Sequence, residues 1–372
     1  MKKVIYIIAL LLVIAMLLTG YAGTLSPEKA GLVSLAGYAF PLALIANVGM
    51  LVFCTLFCRK AMIIPILGLL AAYGPVTLYC PINRSQATEP DEITLKVLSY
   101  NTQCMGQVWP LVMEEDEDPH EVSKRVHEKC DEMLNYLAES GADILCLQEV
   151  SEGPYETEKA KEILQSVFTY ADSVHSSQPG NAARLWIYSR YPIVRKQEIK
   201  YFSPGNMSCA FWVSINGRET IIVNNHLQTM GITIEEREEF SSIMHGERKE
   251  KEEIRGTSRT IFGKILEASK VRAPQAEAVA SFVRMHKDTP LILCGDFNDI
   301  PQSYTHHVIA AELTDCFQAA AFGPNYTFSR YGMRVRIDNI LCSTHFTPLS
   351  CAVDASISLS DHYPVRCTFR IN

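Results

Sequence analysis

One stretch of this 372-residue chain places a carboxylate and an amide directly after an apolar run. The run 291–294 is short and β-rich, which predicts a buried strand, and Gly295 permits a tight bend after it. Asp296 and Asn298 lie two positions apart, so an extended backbone would point both side chains to the same side. Their oxygen atoms suit a hard metal ion and an oxygen-rich substrate, although many turns carry Asp and Asn without any ligand.

Six further polar residues follow the same pattern, since each follows or interrupts an apolar segment. They are Asn101 after 95–100, Glu149 near the end of 143–150, His226 after 219–224, Asp338 within 334–343, and Asp361 with His362 in the turn 360–364. Such a set offers carboxylates for a divalent cation, amides for orientation, and two imidazoles for proton or phosphate contacts. A buried carboxylate such as Glu149 is costly unless it is paired or bound to a metal, but this residue could also be a structural Glu at the mouth of a loop. The sequence has no serine nucleophile elbow, Walker loop or HExxH motif.

Alternating strand and helix patterns predict an α/β body that would position these side chains. Apolar residues at helical spacing predict a helix over 121–140 that ends at Gly141. An Asn-Gly pair at 216–217, between two β-rich runs, predicts a hairpin that leads to His226. Residues 185–189 and 193–194 are interpreted as paired strands around a short turn.

Other segments between the strands are charged or helical. The acidic run 114–118 is predicted to be a solvated loop, and 233–256 is so highly charged that it predicts a helical or mobile excursion. Residues 261–286 predict a helix that is interrupted near Pro274.

Charge is distributed unevenly along the chain. Residues 1–90 carry six basic and two acidic side chains, whereas the remainder carries 28 basic and 39 acidic ones. Non-specific binding to a polyanion depends on Lys and Arg, so the acidic body is a poor match for it. A local basic groove remains compatible with this composition.

The twelve cysteines show no CxxC pair and no zinc-finger spacing. Cys146, Cys294 and Cys342 lie inside strand-like apolar runs, so we interpret them as small buried hydrophobic residues. Scattered cysteines without a disulfide framework are typical of a reducing compartment, which conflicts with the topology that the membrane spans predict.

Three uncharged spans occur before residue 84, and each can supply the ~20 apolar residues that cross a bilayer. They run over 4–27, 30–58 and 61–83. Basic pairs at 2–3 and 59–60 would share the cytoplasmic side by the positive-inside rule, so the third span would place the body outside the cytoplasm. Alternatively, the first span is a cleaved signal peptide, which leaves the body on the same side, or the second and third spans form a re-entrant pair.

The ordered motifs resemble those of the endonuclease/exonuclease/phosphatase superfamily, whose fold is the deoxyribonuclease-I-like fold. The resemblance covers roughly residues 94–371. It is carried by Ser99-Tyr100-Asn101, Leu147-Gln148-Glu149-Val150, Ser189-Arg190-Tyr191-Pro192-Ile193, Asn225-His226-Leu227, Gly295-Asp296-Phe297-Asn298, Arg336-Ile337-Asp338-Asn339-Ile340 and Ser360-Asp361-His362-Tyr363-Pro364-Val365. It implies a four-layer α/β sandwich, in which two mixed sheets pack face to face with helices outside and the site lies at one end of the sheets.

The resemblance also implies roles for individual residues. Glu149 would be the principal ligand of Mg²⁺ or Mn²⁺, Asp361 a further ligand, and Asn101 a contact to metal or phosphate. Asp296 would orient or deprotonate the attacking water with help from Asn298. The remaining roles are phosphate stabilisation by His226 and His362, and control of the His362 tautomer by Asp338. The family often has Asp-Tyr where this chain has Asp338-Asn339, which affects a neighbouring packing contact.

The sequence thus predicts a membrane region over 1–83, a linker over 84–93 and a catalytic domain over 94–372. The expected activity is metal-dependent hydrolysis of phosphodiester or phosphomonoester bonds, in a multi-pass protein of the cell membrane. Nucleic acids, phospholipids and inositol phosphates all remain open as substrates, and no protein partner is predicted. Two alternatives are a catalytically silent binding protein on the same fold and a transporter, although the spans contain no intramembrane charge for an ion path.

Overall fold

Two six-stranded mixed sheets form the body of the protein. The computed structural model describes residues 2–84, 86, 92–106, 118–244, 246–247, 251–330 and 333–372. The helices are α1 (Lys2–Gly20), α2 (Pro27–Ala30), α3 (Phe40–Phe57), α4 (Ile63–Ala71), α5 (Tyr73–Tyr79), α6 (Pro119–Glu139), α7 (Pro154–Leu164), α8 (Ile234–Met244), α9 (Lys251–Met285), α10 (Tyr304–Ile309) and α11 (Cys316–Ala320). Short 3-10 helices span Ala22–Thr24, Gly31–Ala39, Arg59–Met62 and Ala310–Glu312.

Consecutive strands mostly belong to the same sheet. The strands are β1 (Thr94–Asn101), β2 (Ile144–Gln148), β3 (Tyr170–His175), β4 (Arg184–Ser189), β5 (Ile193–Ile199), β6 (Met207–Ile215), β7 (Arg218–His226), β8 (Leu291–Asp296), β9 (Thr314–Asp315), β10 (Phe328–Arg330), β11 (Met333–Val335), β12 (Asp338–Cys342), β13 (Phe346–Val353) and β14 (Val365–Ile371). Strands β1 to β4, β13 and β14 form one sheet, and β5 to β9 with β12 form the other. One sheet has the order β13-β14-β1-β2-β4-β3 and the other β5-β6-β7-β8-β12-β9, while β10 and β11 form a separate hairpin. Each large sheet contains one parallel pair, β1–β2 or β7–β8, and the other neighbours are antiparallel.

Apolar packing confirms the predicted four layers. The inner faces of the two sheets share one core, in which Ile144 and Ile187 from the first sheet pack with Phe211 and Ile292 from the second. The outer face of the first sheet is covered by α6 and α7. The outer face of the second sheet is covered by α9 and the end of α10. Burial on both faces explains why β2 and β8 are almost continuously apolar.

Local signals predicted several elements correctly. The hairpin of β6 and β7 turns at Asn216-Gly217, where both residues have positive φ (52° and 81°), as a tight two-residue turn requires. Helix α6 is followed by Gly141 at φ 69°, the left-handed conformation of a helix end. The charged excursion contains α8 and the start of α9.

Two predictions of local structure are wrong. Strands β4 and β5 do not pair with each other, because β4 lies between β2 and β3 while β5 pairs with β6 in the other sheet. Residues 190–192 therefore carry the chain from one sheet to the other. Helix α9 is not interrupted near Pro274 but continues through it to Met285. Burial of Ala276, Val279 and Phe282 against the second sheet offsets the backbone hydrogen bond that the proline removes.

The N-terminal region is a bundle of apolar helices with two candidate membrane spans. The stretches Lys3–Gly20 and Pro27–Phe57 are long and apolar enough to cross a membrane. The predicted third span is a pair of helical stretches, Arg59–Ala71 and Tyr73–Tyr79, bent by 68°, so it counts as a span only if the bent pair is taken as one. Buried Asn47 on α3 donates to the Leu12 carbonyl of α1 at 2.8 Å and ties two helices together.

The helical bundle contacts the body directly. The amide of Gln302 donates to the Pro75 carbonyl at 3.3 Å, and the guanidinium of Arg336 donates to the Leu78 carbonyl at 3.2 Å. A Cβ at Gly37 would lie 2.6 Å from the backbone oxygen of Gln302, so the two backbones approach too closely for a larger residue. Most of the predicted linker 84–93 and of the acidic loop 114–118 lies outside the described residues. Within the acidic loop, Asp118 caps α6 by accepting from the His120 backbone N–H.

Candidate active site

The C-terminal ends of both parallel strand pairs meet at one end of the sandwich. Asn101 ends β1 and Glu149 follows β2, while His226 ends β7 and Asp296 ends β8. Asp338 begins the antiparallel neighbour β12 and lies directly opposite Asp296 in register. Topology thus brings together residues that are far apart in sequence.

Asp296 lies at the centre of this group and is 1% exposed. Its Oδ1 accepts from the Asn298 backbone N–H at 2.7 Å. Its Oδ2 accepts from Nδ2 of Asn101 at 3.1 Å and from Nδ2 of Asn298 at 3.2 Å. Nε2 of His226 lies 3.9 Å from the same oxygen, and Nε2 of His362 lies 3.7 Å from it. One carboxylate therefore lies close to two amides and two imidazoles.

His362 and Asp338 form a buried pair. Nδ1 of His362 lies 2.8 Å from Oδ2 of Asp338, and because a carboxylate only accepts, Nδ1 carries the proton. This leaves Nε2 directed toward Asp296 and toward Asp361, whose Oδ1 is 3.9 Å away. The backbone N–H of Asp338 donates to the hydroxyl of Thr327, which fixes the start of β12.

Glu149 and Asp361 form the other side of the site. Oε1 of Glu149 accepts from Nδ2 of Asn101 at 3.0 Å and lies 3.3 Å from Nε2 of His226. Its side chain is 35% exposed, so this acid faces solvent while Asp296 does not. Oδ2 of Asp361 lies 3.6 Å from a guanidinium nitrogen of Arg237.

Backbone strain is concentrated around these residues. Glu149 has φ 50° and Asn298 has φ 51°, in the left-handed region that L-residues rarely adopt. Gly295 has φ 124°, and a Cβ there would lie 2.0 Å from the backbone oxygen of Asn225. Only glycine can therefore occupy the position before Asp296. The surrounding packing therefore holds two site residues, Glu149 and Asn298, in strained backbone conformations.

The surroundings raise the pKa values of three groups in the site. Burial, reinforced by the nearby Asp338 carboxylate, raises the pKa of Asp296 to about 6, against the opposing effect of His362 and His226. Burial also raises the pKa of Asp361, and the charge of Glu149 adds to that rise. For His362, burial favours the neutral imidazole, but the carboxylates of Asp338 and Asp296 outweigh it and raise its pKa well above the usual value. The site therefore combines a weakly acidic carboxyl with a protonated imidazole.

The residues fit a divalent cation. Ligand atoms of Asp296, Asp338 and His362 all lie within 4.8 Å of one another, and Oδ1 of Asp338 is buried with no hydrogen-bond partner among the described residues. The acids predicted as ligands, Glu149 and Asp361, lie beside this cluster and supply further oxygens. The amide oxygen of Asn101 accepts from the Gln103 backbone N–H, so its nitrogen faces the acids. That nitrogen donates to both Glu149 and Asp296, so Asn101 joins the two acids.

A wide groove opens beside Glu149 and His226. Its volume, with the solvent-open mouth included, is about 1260 Å³, and it is lined largely by small and uncharged residues, with Arg184 as a cation and Glu149 as an anion. The groove is large enough for a substrate much bigger than inorganic phosphate. Its lining offers few of the basic side chains that a nucleic-acid backbone would need.

Several side chains in and around the site were not predicted from the sequence. Arg237 on α8 comes from the charged excursion, where one arginine among glutamates gives no local signal. The Ser360 hydroxyl donates to the Asn101 carbonyl and accepts from the His362 backbone N–H. Gln148 donates to Asn224 at 2.6 Å and joins the two sheets behind the site. Hydrogen bonds of this kind depend on the fold and have no sequence pattern.

Two sequence profiles match separate regions of the chain. Residues 129–362 match the sequence profile of the Endonuclease/Exonuclease/phosphatase family, and residues 2–79 match a domain of unknown function, DUF8431. A search with the sequence matched no curated protein.

Solved structures share the fold at low sequence identity. An endonuclease/exonuclease/phosphatase family protein from Bacteroides thetaiotaomicron is 17% identical with a TM-score of 0.51, over 76% of this chain and 99% of that one. A protein from Bacteroides vulgatus, described as an endonuclease/exonuclease/phosphatase, is 17% identical with a TM-score of 0.50, over 76% and 100% of the two chains. ANGEL2, described as a 2′,3′-cyclic phosphatase in complex with adenosine-2′,3′-vanadate, is 15% identical with a TM-score of 0.50, over 76% and 97%.

Proposed function

Because this chain belongs to the endonuclease/exonuclease/phosphatase family, we propose that it is a divalent-metal-dependent phosphoesterase that hydrolyses phosphodiester bonds by direct attack of water. One observation carries the proposal: Glu149 and Asp361, the acids that would hold the cation, lie beside a buried group of Asp296, Asp338 and His362 whose ligand atoms are within 4.8 Å of one another. The sequence supplies no serine nucleophile elbow, and this favours water as the nucleophile.

Each of the central residues has a role that its contacts support. Asp296, with its pKa of about 6, accepts a proton from the attacking water, while Asn298 fixes the direction of that carboxylate by two hydrogen bonds. His226 and His362 donate hydrogen bonds to the phosphate oxygens. Asp338 holds the His362 ring through its 2.8 Å contact.

Glu149 and Asp361 would hold the cation, Mg²⁺ or Mn²⁺. Glu149 is open to solvent, which leaves room for the water ligands that Mg²⁺ retains. Occupation of the Asp296–Asp338–His362 cluster would require replacement of the His362–Asp338 hydrogen bond, so we assign that cluster to proton transfer and phosphate contact. When bound, a divalent cation polarises the phosphoryl group and neutralises its charge. Asn101 orients Glu149 and Asp296 through its amide nitrogen.

The apolar bundle would anchor this domain in the cell membrane as a multi-pass protein. Two spans, with the bent pair as a third, would place the body on the side opposite the basic residues 2–3 and 59–60. The catalytic domain would then lie outside the cytoplasm. Phospholipid and inositol-phosphate substrates fit the anchoring, and a groove with few basic side chains, better than nucleic acid does.

Hydrolysis of a generic phosphodiester by the full-length protein tests the proposal. We expect activity with Mg²⁺ or Mn²⁺, loss of activity with a chelator, and recovery when the metal is restored. Glu149→Gln should lose at least about tenfold in rate and require more metal, whereas Glu312→Gln, an exposed acid at the end of the 3-10 helix Ala310–Glu312, should leave the rate unchanged. Full activity in excess chelator would overturn metal dependence, and an inactive folded protein across lipid, nucleotide and inositol-phosphate substrates would favour a binding role.

A further inference from the structure

Two large apolar side chains are exposed where the helical bundle joins the catalytic domain. Ile82 is 74% exposed and Phe322 is 75% exposed. The two residues form an isolated antiparallel bridge, and residues directly opposite each other in such a bridge point to the same face. One residue follows the bundle and the other belongs to the catalytic domain. We refer to Ile82 and Phe322 together as the junction patch.

Hydrogen bonds hold the junction patch firmly in place. The backbone N–H of Asn83 donates to the Ala321 carbonyl at 3.0 Å, and the N–H of Gly323 donates to the Pro81 carbonyl at 2.7 Å. The side chain of Asn83 donates to the Gln318 carbonyl at 2.8 Å. The exposed side chains are therefore presented by a fixed backbone.

Long segments on both sides of the junction patch carry no charge, and the nearest charged residues in sequence are Arg84 and Asp315. Residues 72–83 and 316–327 contain no Asp, Glu, Lys, Arg or His. Since 20% of the whole chain is charged, about five charged residues would be expected in segments of this combined length. A neutral, apolar surface in an otherwise highly charged domain suits contact with hydrocarbon rather than water.

The junction patch lies directly after a candidate membrane span. Ile82 lies three residues after the end of α5, which is the second limb of the bent candidate span. Tyr73, at the start of α5 and therefore earlier in the candidate span, is 67% exposed. The apolar surface thus continues from the candidate span onto the catalytic domain.

We propose that the catalytic domain rests on the lipid bilayer through the junction patch, with Phe322 inserted at the level where the third span leaves the hydrocarbon. This inference rests on the proposed membrane anchoring and goes beyond it, because a tethered domain need not touch the membrane. The partner is the lipid surface itself.

Docking of the junction patch would also set the distance between the catalytic centre and the membrane surface, because a second contact joins the bundle to the body near the active site. The Tyr38 hydroxyl, in the 3-10 helix before α3, donates to Oδ1 of Asp299 at 3.2 Å. Asp299 is three residues after Asp296, so their Cα atoms are at most about 11 Å apart. A body docked in this way would present its active site to phosphoesters at the membrane surface.

Tryptophan quenching in vesicles tests the inference with the full-length protein. Three variants would be reconstituted into phosphatidylcholine vesicles with acyl chains that carry bromine, which quenches nearby tryptophan. Phe322→Trp probes the patch, and Tyr73→Trp on α5 is the positive control. Met285→Trp, 70% exposed at the other end of α9 from its contact with the bundle, is the matched control. The signal of the three native tryptophans is subtracted by use of the parent protein.

We expect quenching of Phe322→Trp close to that of Tyr73→Trp, and little quenching of Met285→Trp. If Tyr73→Trp is quenched while Phe322→Trp behaves like Met285→Trp, the domain does not rest on the bilayer and the inference is wrong, although anchoring survives. If Tyr73→Trp is not quenched, the third span is wrong and the inference falls with it. Hydrolysis measured on the same samples reports the proposed activity separately.

Discussion

Two buried Asp–His pairs of equal length lie in different surroundings in this protein. In the candidate active site, Nδ1 of His362 lies 2.8 Å from Asp338. On the α10 side of the second sheet, Nε2 of His306 lies 2.8 Å from Asp315. All four residues are at most 6% exposed. The distance and burial of an Asp–His pair therefore do not distinguish a reactive site from a structural one.

The groups around each pair make the difference. Asp315 also accepts from two guanidinium nitrogens of Arg336, at 3.3 Å and 3.2 Å, and from the backbone N–H of Gln318. Although burial opposes ionisation, Arg336 and His306 hold the pKa of Asp315 well below its usual range. This cluster is satisfied, and it stabilises the fold where the bundle meets the body.

The active-site cluster has more acid than its neighbours can satisfy. Oδ1 of Asp338 lacks a hydrogen-bond partner among the described residues, and Asp296 beside it has its pKa raised to about 6. An excess of buried acid is costly in isolation and is relieved by a cation or a proton. Incomplete satisfaction, rather than the pair itself, indicates where ligand and chemistry belong.

The largest effect should come from Asp296→Asn, which keeps the shape and removes the proposed base. We expect the rate of phosphodiester hydrolysis to fall by about 10²–10⁴-fold. Stability should change little, since removal of a carboxyl with a raised pKa relieves a cost of folding at neutral pH, while the amide nitrogen of the new side chain loses hydrogen bonds that the carboxylate accepted. Initial rates with saturating metal and thermal denaturation without metal check both expectations. A variant that keeps more than a tenth of the rate would exclude Asp296 as the base.

Asp315→Asn is the matched change in the satisfied cluster. It should lower the stability of the protein and leave its activity nearly unchanged. Because it leaves Arg336 buried without its charge partner, we expect a loss of about 3–5 kcal/mol in the free energy of unfolding. Activity per folded molecule should remain near that of the parent at low temperature. Denaturation in detergent with parallel rate measurements would show this. An inactive but equally stable variant would contradict the structural role.

The pH dependence of the rate should reflect the pKa of Asp296. Since a base must be ionised and the pKa is about 6, activity should reach a plateau above that value and fall about tenfold per pH unit below it. In metal-free protein, stability should change with pH in the opposite direction to the rate. The folded carboxyl binds its proton more tightly than the unfolded one, so protonation between about pH 6 and 4 stabilises the fold. A rate that is unchanged from pH 7 to 5 would refute the assignment.

The smallest effect should come from Tyr38→Phe at the contact between bundle and body. Asp299 keeps its bonds to Thr305 and Arg272, so we expect a loss of about 1 kcal/mol in stability and a change in rate of less than about tenfold. The control Tyr304→Phe removes an exposed tyrosine–carboxylate bond to Glu277 and should cost less. Equal melting temperatures for both variants would show that the Tyr38 contact does not couple the two regions.

The sequence by itself determined much of the site and of the fold. Apolar runs that end in Asn101, Glu149, His226 and Asp296 identified strand ends, because alternation and burial are local properties of the chain. The Asn-Gly turn at 216–217 determined its hairpin for the same reason. The order of the motifs indicated the four layers.

Only the tertiary structure decided which elements meet. Strand β5 joined the second sheet instead of pairing with β4, because strand partners depend on long-range packing rather than on the intervening turn. Helix α9 continued through Pro274 because its apolar face is buried along the second sheet. Arg237 reached Asp361, and Tyr38 reached Asp299, across more than a hundred residues of sequence. Such contacts follow from the positions of whole elements in space, which no local pattern records.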